Sequence, residues 1–333
     1  MRSSYPTLKE ISAEAGVSIA LVSVVLNGKK GRIMASEQTK AKILAVAKSL
    51  GYEPNRNARG LRMQRSFLIG VSVYNISSSF VPEILSGIES EFLHTSYSML
   101  LGAHRNHEEL RERLEVFRRR RVDGVILIST NHRVCEKYLG QFPDFPAVTV
   151  GCAPDLPHCS SVMSDRHEIG SIAAAALVAR GHCNIGYLCN DYGNCGGFQD
   201  YLNLYRQQQC NCFRLECKNY FDVGVDAAVK LLTAHPEISA VFADSDVLGA
   251  AAIQAAVKLG RRVPQDLAVL GVDDSMLCRL TVPQLSSINQ PKREQGSAAA
   301  RILMQMLDGG KVEHIAFPGK LVCRESLGDI KSL

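Results

Sequence analysis

Two periodicities divide the chain. Over the first fifty residues, apolar positions recur every three to four residues, the spacing of one helix face. Leu8, Ile11 and Ala15 form one set, Val22, Val25 and Leu26 a second, and Ile43, Ala47 and Leu50 a third. The punctuation between them agrees. Thr7-Leu8-Lys9-Glu10 has the form of a capping box, in which Thr caps the helix and Glu reaches back three residues. Gly16 ends the first helix. Ser18 caps a second, which Asn27-Gly28 stops, and Ser36 or Thr39 starts a third, which Gly51 ends. Two short helices around a Gly-centred turn describe a helix-turn-helix, and the third completes a small all-α head.

From residue 67 the pattern changes. Short apolar runs rich in β-formers occur at 67–73, 97–103, 124–129 and 147–151, and in a second series at 184–189, 238–243 and 267–272. Such runs predict buried strands. Helical stretches lie between most of them, at 82–94, 108–121, 168–180, 245–259 and 295–307. Strand and helix alternating through two series predict an α/β body of two lobes, each a doubly wound parallel sheet. Ligands of such sheets bind at the carboxyl ends of the strands. Two lobes facing each other would hold one in a cleft.

Charge adds a partner to this picture. The net charge of +5 conceals an asymmetry: residues 1–65 carry 12 Lys and Arg against 4 Asp and Glu, and the remainder 26 against 29. A basic head on a slightly acidic body predicts a polyanion partner, against the plain alternative of a solvated basic surface. No apolar run approaches the ~20 residues of a membrane span, and the first residues lack the apolar stretch of a signal peptide. The expectation is a cytoplasmic protein without membrane association. All 11 cysteines lie between Cys135 and Cys323, and are expected as free thiols in that compartment. Their densest group, Cys210-Asn211-Cys212 with Cys217, lacks the paired spacing of a structural zinc site, so no metal and no cofactor are expected. Phosphate-cradling GxxxxGK[ST], zinc-binding HExxH and nucleophile-elbow GxSxG motifs are absent. Cys195 stands beside two glycines, but no activating base for it is identifiable, and an enzyme is not expected.

The ordered motifs are more specific. Thr7-Leu8-Lys9-Glu10-Ile11, Ala15-Gly16-Val17-Ser18 and Val22-Ser23-Val24-Val25-Leu26-Asn27-Gly28 resemble the start of the lactose-repressor/galactose-repressor (LacI/GalR) family. Leu50-Gly51-Tyr52-Glu53-Pro54-Asn55, then Ala58-Arg59-Gly60-Leu61-Arg62, resemble its hinge. Arg120-Arg121-Val122-Asp123-Gly124, Gly271-Val272-Asp273-Asp274 and Asn289-Gln290-Pro291 resemble its body, which is similar to periplasmic sugar-binding proteins. The resemblance implies a head over 1–54 and a hinge over 55–65. It implies an N-terminal lobe of 66–162 with 291–319, and a C-terminal lobe of 163–290 with 320–333. It implies a homodimeric, sequence-specific transcription regulator, a repressor, on a near-palindromic operator in double-stranded DNA. A small effector, a sugar or sugar derivative, would control it.

Carried over by position, Ile19, Ala20 and Val24 would face bases in the major groove, with Ser18, Leu21 and Ser23 near the backbone and Thr7 a further DNA contact. Asn27 and the basic loop holding Lys29 and Lys30 would supply further contacts, the loop to phosphates. Asn55, Ala58 and Leu61 fall in the hinge, where Leu61 would wedge into the minor groove. In the cleft the resemblance implies effector contacts from Asn75, Ser79, Phe80, Asp165, Asn194, Phe221, Ser245, Asp246, Asp273 and Gln290. Carboxylates and amides suit sugar hydroxyls, and an aromatic face packs on the ring. For each Asp or Ser at a strand end the plain alternative is a helix cap.

Two departures stand out. The family usually carries Thr at Leu21, often Arg at Val24, and a polar residue at Ile19 or Ala20. Apolar side chains cannot distinguish G or A by paired hydrogen bonds, but they pack on thymine methyls. In the cleft, Asn194 replaces an Arg that clamps the ligand, and a neutral amide makes weaker bonds than a guanidinium fork. An acidic effector therefore becomes less expected. A regulator controlled by a protein partner, or by no effector, stays open as an alternative. A plain sugar-binding transport protein would need an export signal and no basic head.

Overall fold

The computed structural model describes residues 6–26, 35–52, 65–76, 78–129, 132–143, 145–189, 196–204 and 210–329. The chain divides into two compact units, Met1–Ser66 and Phe67–Leu333. Asn27, Lys29, Lys30, Asn55, Ala58, Leu61 and Asn194 lie outside the described residues.

The head is built from α1 (Leu8–Ala15), α2 (Ile19–Leu26) and α3 (Glu37–Ser49). Its capping box is formed. The Thr7 N–H donates to the Glu10 carboxylate at 2.6 Å, and the Thr7 hydroxyl accepts from the Glu10 N–H at 3.4 Å. The Thr7 N–H, and after it the Thr7 hydroxyl at 3.0 Å, donate to the Glu10 carboxylate and hold its pKa below the ordinary value. Gly16 turns the chain at φ 68°, a left-handed conformation that glycine adopts without strain. Ser18 then caps α2 by accepting from the Leu21 N–H at 3.2 Å. Of the two possible starts of α3, Ser36 is the one used, accepting from the Thr39 N–H at 3.2 Å. Ile11, Ala15, Val22, Ile43 and Ala47 make the buried core, with Leu21, Val25 and Leu26 packed partly against it.

The body begins with β1 (Leu68–Tyr74), α4 (Val81–Phe92), β2 (Ser98–His104), α5 (His107–Arg119), β3 (Gly124–Ile128), α6 (His132–Leu139) and β4 (Ala147–Val150). β5 (Cys159–Ser164), α7 (Arg166–Val178), β6 (Asn184–Cys189), α8 (Gly196–Leu204), β7 (Asn211–Glu216), α9 (Phe221–Ala234) and β8 (Ala240–Ala243) follow. The chain goes on through α10 (Asp246–Lys258), β9 (Ala268–Asp273), α11 (Leu277–Leu280), β10 (Ser286–Asn289), α12 (Lys292–Leu307), β11 (His314–Phe317) and β12 (Lys320–Val322). One sheet has the order β11-β5-β4-β3-β1-β2 and is parallel throughout. The other has the order β12-β10-β9-β8-β6-β7, parallel except for β12.

Three passages join the sheets: after β5, after β10, and between β11 and β12. All three leave from the carboxyl end of a parallel strand, so the two carboxyl edges are tied to each other. That places the ligand-binding edges of both sheets around one cleft. The second passage is fixed by contact at backbone distance between α12 and α4. A β-carbon on Gly296 would lie 2.1 Å from the Ile84 carbonyl oxygen, and one on Gly87 would lie 2.1 Å from that of Arg293. Only glycine at both positions lets the helices meet this closely.

Candidate nucleic-acid interface and ligand cleft

Helix α2 buries Val22 fully and turns Leu21, Val25 and Leu26 toward the head core. At 100° per residue the opposite stripe is Ile19, Ala20, Ser23 and Val24. Ile19 is 47% exposed, Ser18 and Ala20 are exposed, and Ser23 and Val24 are half-buried. The stripe is apolar except for Ser23. Leu21, expected near the DNA backbone, spends part of its side chain on packing. Thr7 is exposed and held by its capping box. The first turn of α2 has backbone N–H groups with no acceptor one turn back, which favour an anion, though Ser18 takes that of Leu21. This surface can pack on methyl groups and accept a phosphate, but it carries few hydrogen-bonding groups for base edges.

The cleft is of a different kind. At the carboxyl end of β9, Asp273 stands at φ 113° and is only 7% exposed. Its Oδ1 accepts from the Gln290 amide at 2.7 Å. Its backbone carbonyl accepts from the ammonium of Lys292, which is 1% exposed and also lies 3.3 Å from the Glu83 carboxylate on α4. Lys292 therefore ties the end of a strand in the second sheet to a helix on the first. Burial first, and then the Asp246 carboxylate, raise the Asp273 carboxyl above the usual range, while Lys292 and Arg166 pull it down. Two strands away from β9, on β6, the Tyr187 hydroxyl donates to Asp244, just past the end of β8, at 2.9 Å, and the Arg166 guanidinium approaches the same oxygen at 3.5 Å.

Not every residue expected to touch a ligand is free to do so. Asp246 is fully buried: one oxygen accepts from the Ser287 hydroxyl and the other from the Ser275 N–H, both at 2.6 Å. Burial raises its pKa, against those hydrogen bonds. Gly271 makes room for it, since a β-carbon there would lie 2.7 Å from Asp246 Oδ1. Ser245 is buried too; it caps α10 through the Leu248 N–H and donates to Asn219 at 2.7 Å. The polar atoms of both are bonded within the protein, as Asp273 Oδ1 and the Gln290 amide are to each other. Asp165 caps α7 through the Glu168 N–H at 2.9 Å, yet remains exposed at the end of β5.

Asn75, at φ 54°, and half-buried Ser79 and Phe80 follow β1. Phe80 packs in part on the core of the first sheet. Phe221 opens α9 just past β7 and is 44% exposed. Lys292, Arg166, Asp244 and Tyr187 were not expected from the sequence. Lysines are rarely buried, and the only signal for Lys292 was its place directly after Pro291, at a passage between lobes.

Comparison with known proteins places both parts of the chain. Residues 7–55 match the model of bacterial regulatory proteins of the lacI family, and residues 174–327 match a periplasmic binding protein-like domain. The chain is 30% identical over 337 residues to the HTH-type transcriptional repressor PurR of Yersinia enterocolitica, covering 97% of each protein. Among solved structures, a complex of the transcriptional regulator CelR with cellobiose is 28% identical, with a TM-score of 0.71 over 96% of this chain and 99% of that one. A Lac repressor dimer bound to operator and the anti-inducer ONPF has a TM-score of 0.85 at 24% identity, over 97% of this chain and 99% of that one.

Proposed function

The chain belongs to the lacI family of bacterial regulatory proteins and is a DNA-binding transcription regulator rather than an enzyme, and from that premise we propose that it represses transcription as a homodimer on a near-palindromic operator. The observation that carries this reading is the α2 surface. A stripe of Ile19, Ala20, Ser23 and Val24 points away from the core of a strongly basic head, with Ser18 at its start. A recognition helix needs such a stripe to reach base edges, and a dimer reads two half-sites related by its own symmetry. Exposed apolar side chains on the body support the dimer. Leu93 and Leu101 project from the first lobe, and Met276, Leu280 and Val282 from the second, with Val282 89% exposed. Exposed large apolar side chains, where they group on a face, mark association surfaces.

The cleft takes a neutral, hydroxyl-rich ligand in this reading. Asp273, Gln290, Asp165, Asn75 and Ser79 offer oxygens and an amide at the facing strand ends, and Phe80 and Phe221 offer ring faces. CelR, whose structure holds cellobiose, supports the ligand class. The lobe segments 66–162 with 291–319 and 163–290 with 320–333 would close on it, and the change would reach the head through 55–65. The test is selection of bound duplexes from a random library, with and without a panel of sugars. A pseudo-palindromic sequence should be enriched, and one sugar should change its yield. Absence of any enriched sequence would overturn the DNA reading, and indifference to every sugar would favour a protein partner.

A further inference from the structure

Helix α5 ends in four consecutive arginines. Arg118 and Arg119 occupy its last turn, Arg120 caps it and Arg121 lies just beyond. All four are exposed. Arg118 pairs with Glu115 at 2.9 Å and lies 5.9 Å from the Phe142 ring centroid. Arg119, among the described residues, reaches only the Glu115 backbone carbonyl, at 3.4 Å. Among the described residues no carboxylate pairs with Arg119, Arg120 or Arg121. Cations in the last turn of a helix are explained by its dipole, but that effect fades past the terminus. It does not account for Arg121.

Arg121 is also placed against local preference. Its N–H bonds to the Arg118 carbonyl at 2.9 Å, and the Val122 N–H bonds to that of Phe117 at 3.2 Å. These two bonds define a helix end whose left-handed residue is normally glycine. Arg121 holds that position at φ 54°. Folding alone favours glycine here, and the surrounding body is slightly acidic, so a general basic surface does not explain the run.

The position of the turn gives it a partner. Strand β3 starts directly after it and lies beside β1. The Asp123 N–H donates to the Leu68 carbonyl at 2.8 Å, and the Phe67 N–H donates to the Asp123 carboxylate at 2.9 Å. Phe67 is the first residue of the body, where the chain arrives from the head. The arginines are thus fixed to the point of entry. The head core reaches Tyr52, and the fourteen residues from there to Phe67 can span at most on the order of 50 Å. DNA held by the head is tethered to this edge.

We propose that the Arg118–Arg121 turn is a separate DNA contact carried by the body, which binds phosphates of the operator duplex and adds affinity without reading sequence. Guanidinium forks match phosphate oxygens in pairs. The proposal rests on the DNA-binding reading above. Its test is a salt titration of the full-length protein on the duplex recovered by library selection. Replacing all four arginines by glutamine should leave the selected sequence unchanged. It should flatten the dependence of log affinity on log salt by about 0.9 for each phosphate no longer neutralised, and by at least about 2 in total. Lysine at all four positions should largely restore the slope. Arg121→Gly removes one charge while relieving the backbone, so a folding defect cannot explain its flatter slope. If the wild type selects no sequence, the DNA reading fails and this proposal with it. If the wild type selects one, and both the Gln variant and Arg121→Gly keep its salt slope, this proposal alone fails, and the arginines are left for an acidic protein.

Discussion

The proposed sites in the head and in the cleft are built in opposite ways. Ile19 and Ala20 on α2 are exposed, and the head core is made without them. Asp273, Gln290 and Lys292 in the cleft are bonded to one another and hold the two lobes together as well. One site is a surface laid on a finished fold, and the other is part of the fold's own connections. Substitutions on α2 should therefore change what is recognised and leave stability alone. Substitutions in the cleft should change ligand response and lobe geometry together.

A pair of glycines tests this contrast at its largest. Gly296→Ala forces a β-carbon to within 2.1 Å of the Ile84 carbonyl oxygen, and backbone cannot move aside as a side chain can. Overpacking usually costs about 1–3 kcal/mol, and the upper end or beyond is expected here. Gly16→Ala in the head meets nothing closer than the Lys42 ammonium at 4.0 Å and bears only the strain of φ 68°, about 1 kcal/mol. Urea denaturation of both variants checks this, and equal losses would break the comparison.

Acid should separate the two regions next. His104, at the end of β2, is buried with its Nδ1 2.8 Å from the Ser72 hydroxyl, and burial lowers its pKa to about 4. An unfolded His titrates near ~6.5. Between these values the unfolded chain binds the extra proton, so stability is lost as pH falls through the window. The loss should reach about 2–3 kcal/mol by pH 4, at 1.36 kcal/mol per unit, and His104→Gln should flatten it. Residues 1–65 contain no histidine, so the head should show no transition in that range. Asp273→Asn should then remove most of the coupling between sugar and operator, typically about 1–3 kcal/mol. Operator affinity without sugar should stay within about twofold, a shift of some 0.4 kcal/mol. Equal loss of both activities would show that Asp273 serves the fold alone.

The sequence was read most reliably where one residue does one job. Thr7, Glu10, Gly16 and Ser18 each mark a helix boundary by their own chemistry, and they stand at those boundaries. The strands β1, β3 and β9 were visible because they are buried runs rich in Val, Ile and Leu, and β6 because Ile185, Tyr187, Leu188 and Cys189 make a buried apolar run. β5 and β10 were not, because their Ser residues read as loop. Those hydroxyls are satisfied by partners far along the chain: Ser161 by His314, Ser286 by Arg324 and Ser287 by Asp246. The same distance hid the bonding of the cleft's polar groups. Asp246 and Asp273 are both acids at or just past strand ends, and only packing shows that both are buried, the first bonded to Ser287 and the Ser275 N–H and the second to Gln290.

The smallest effect is the most direct reading of α2. Ile19, Ala20 and Val24 can distinguish thymine from other bases only through its methyl group. Replacing thymines by uracils one at a time in the selected operator removes those methyls and leaves every hydrogen bond intact. Each buried methyl should be worth about 0.8 kcal/mol, close to fourfold in affinity. The response should be confined to one or two positions in each half-site. Ile19→Ala should weaken the wild-type operator and shrink the response at one of them, without lowering the stability of the head. If no thymine responds while the sequence preference persists, the base contacts are polar and come from outside this stripe.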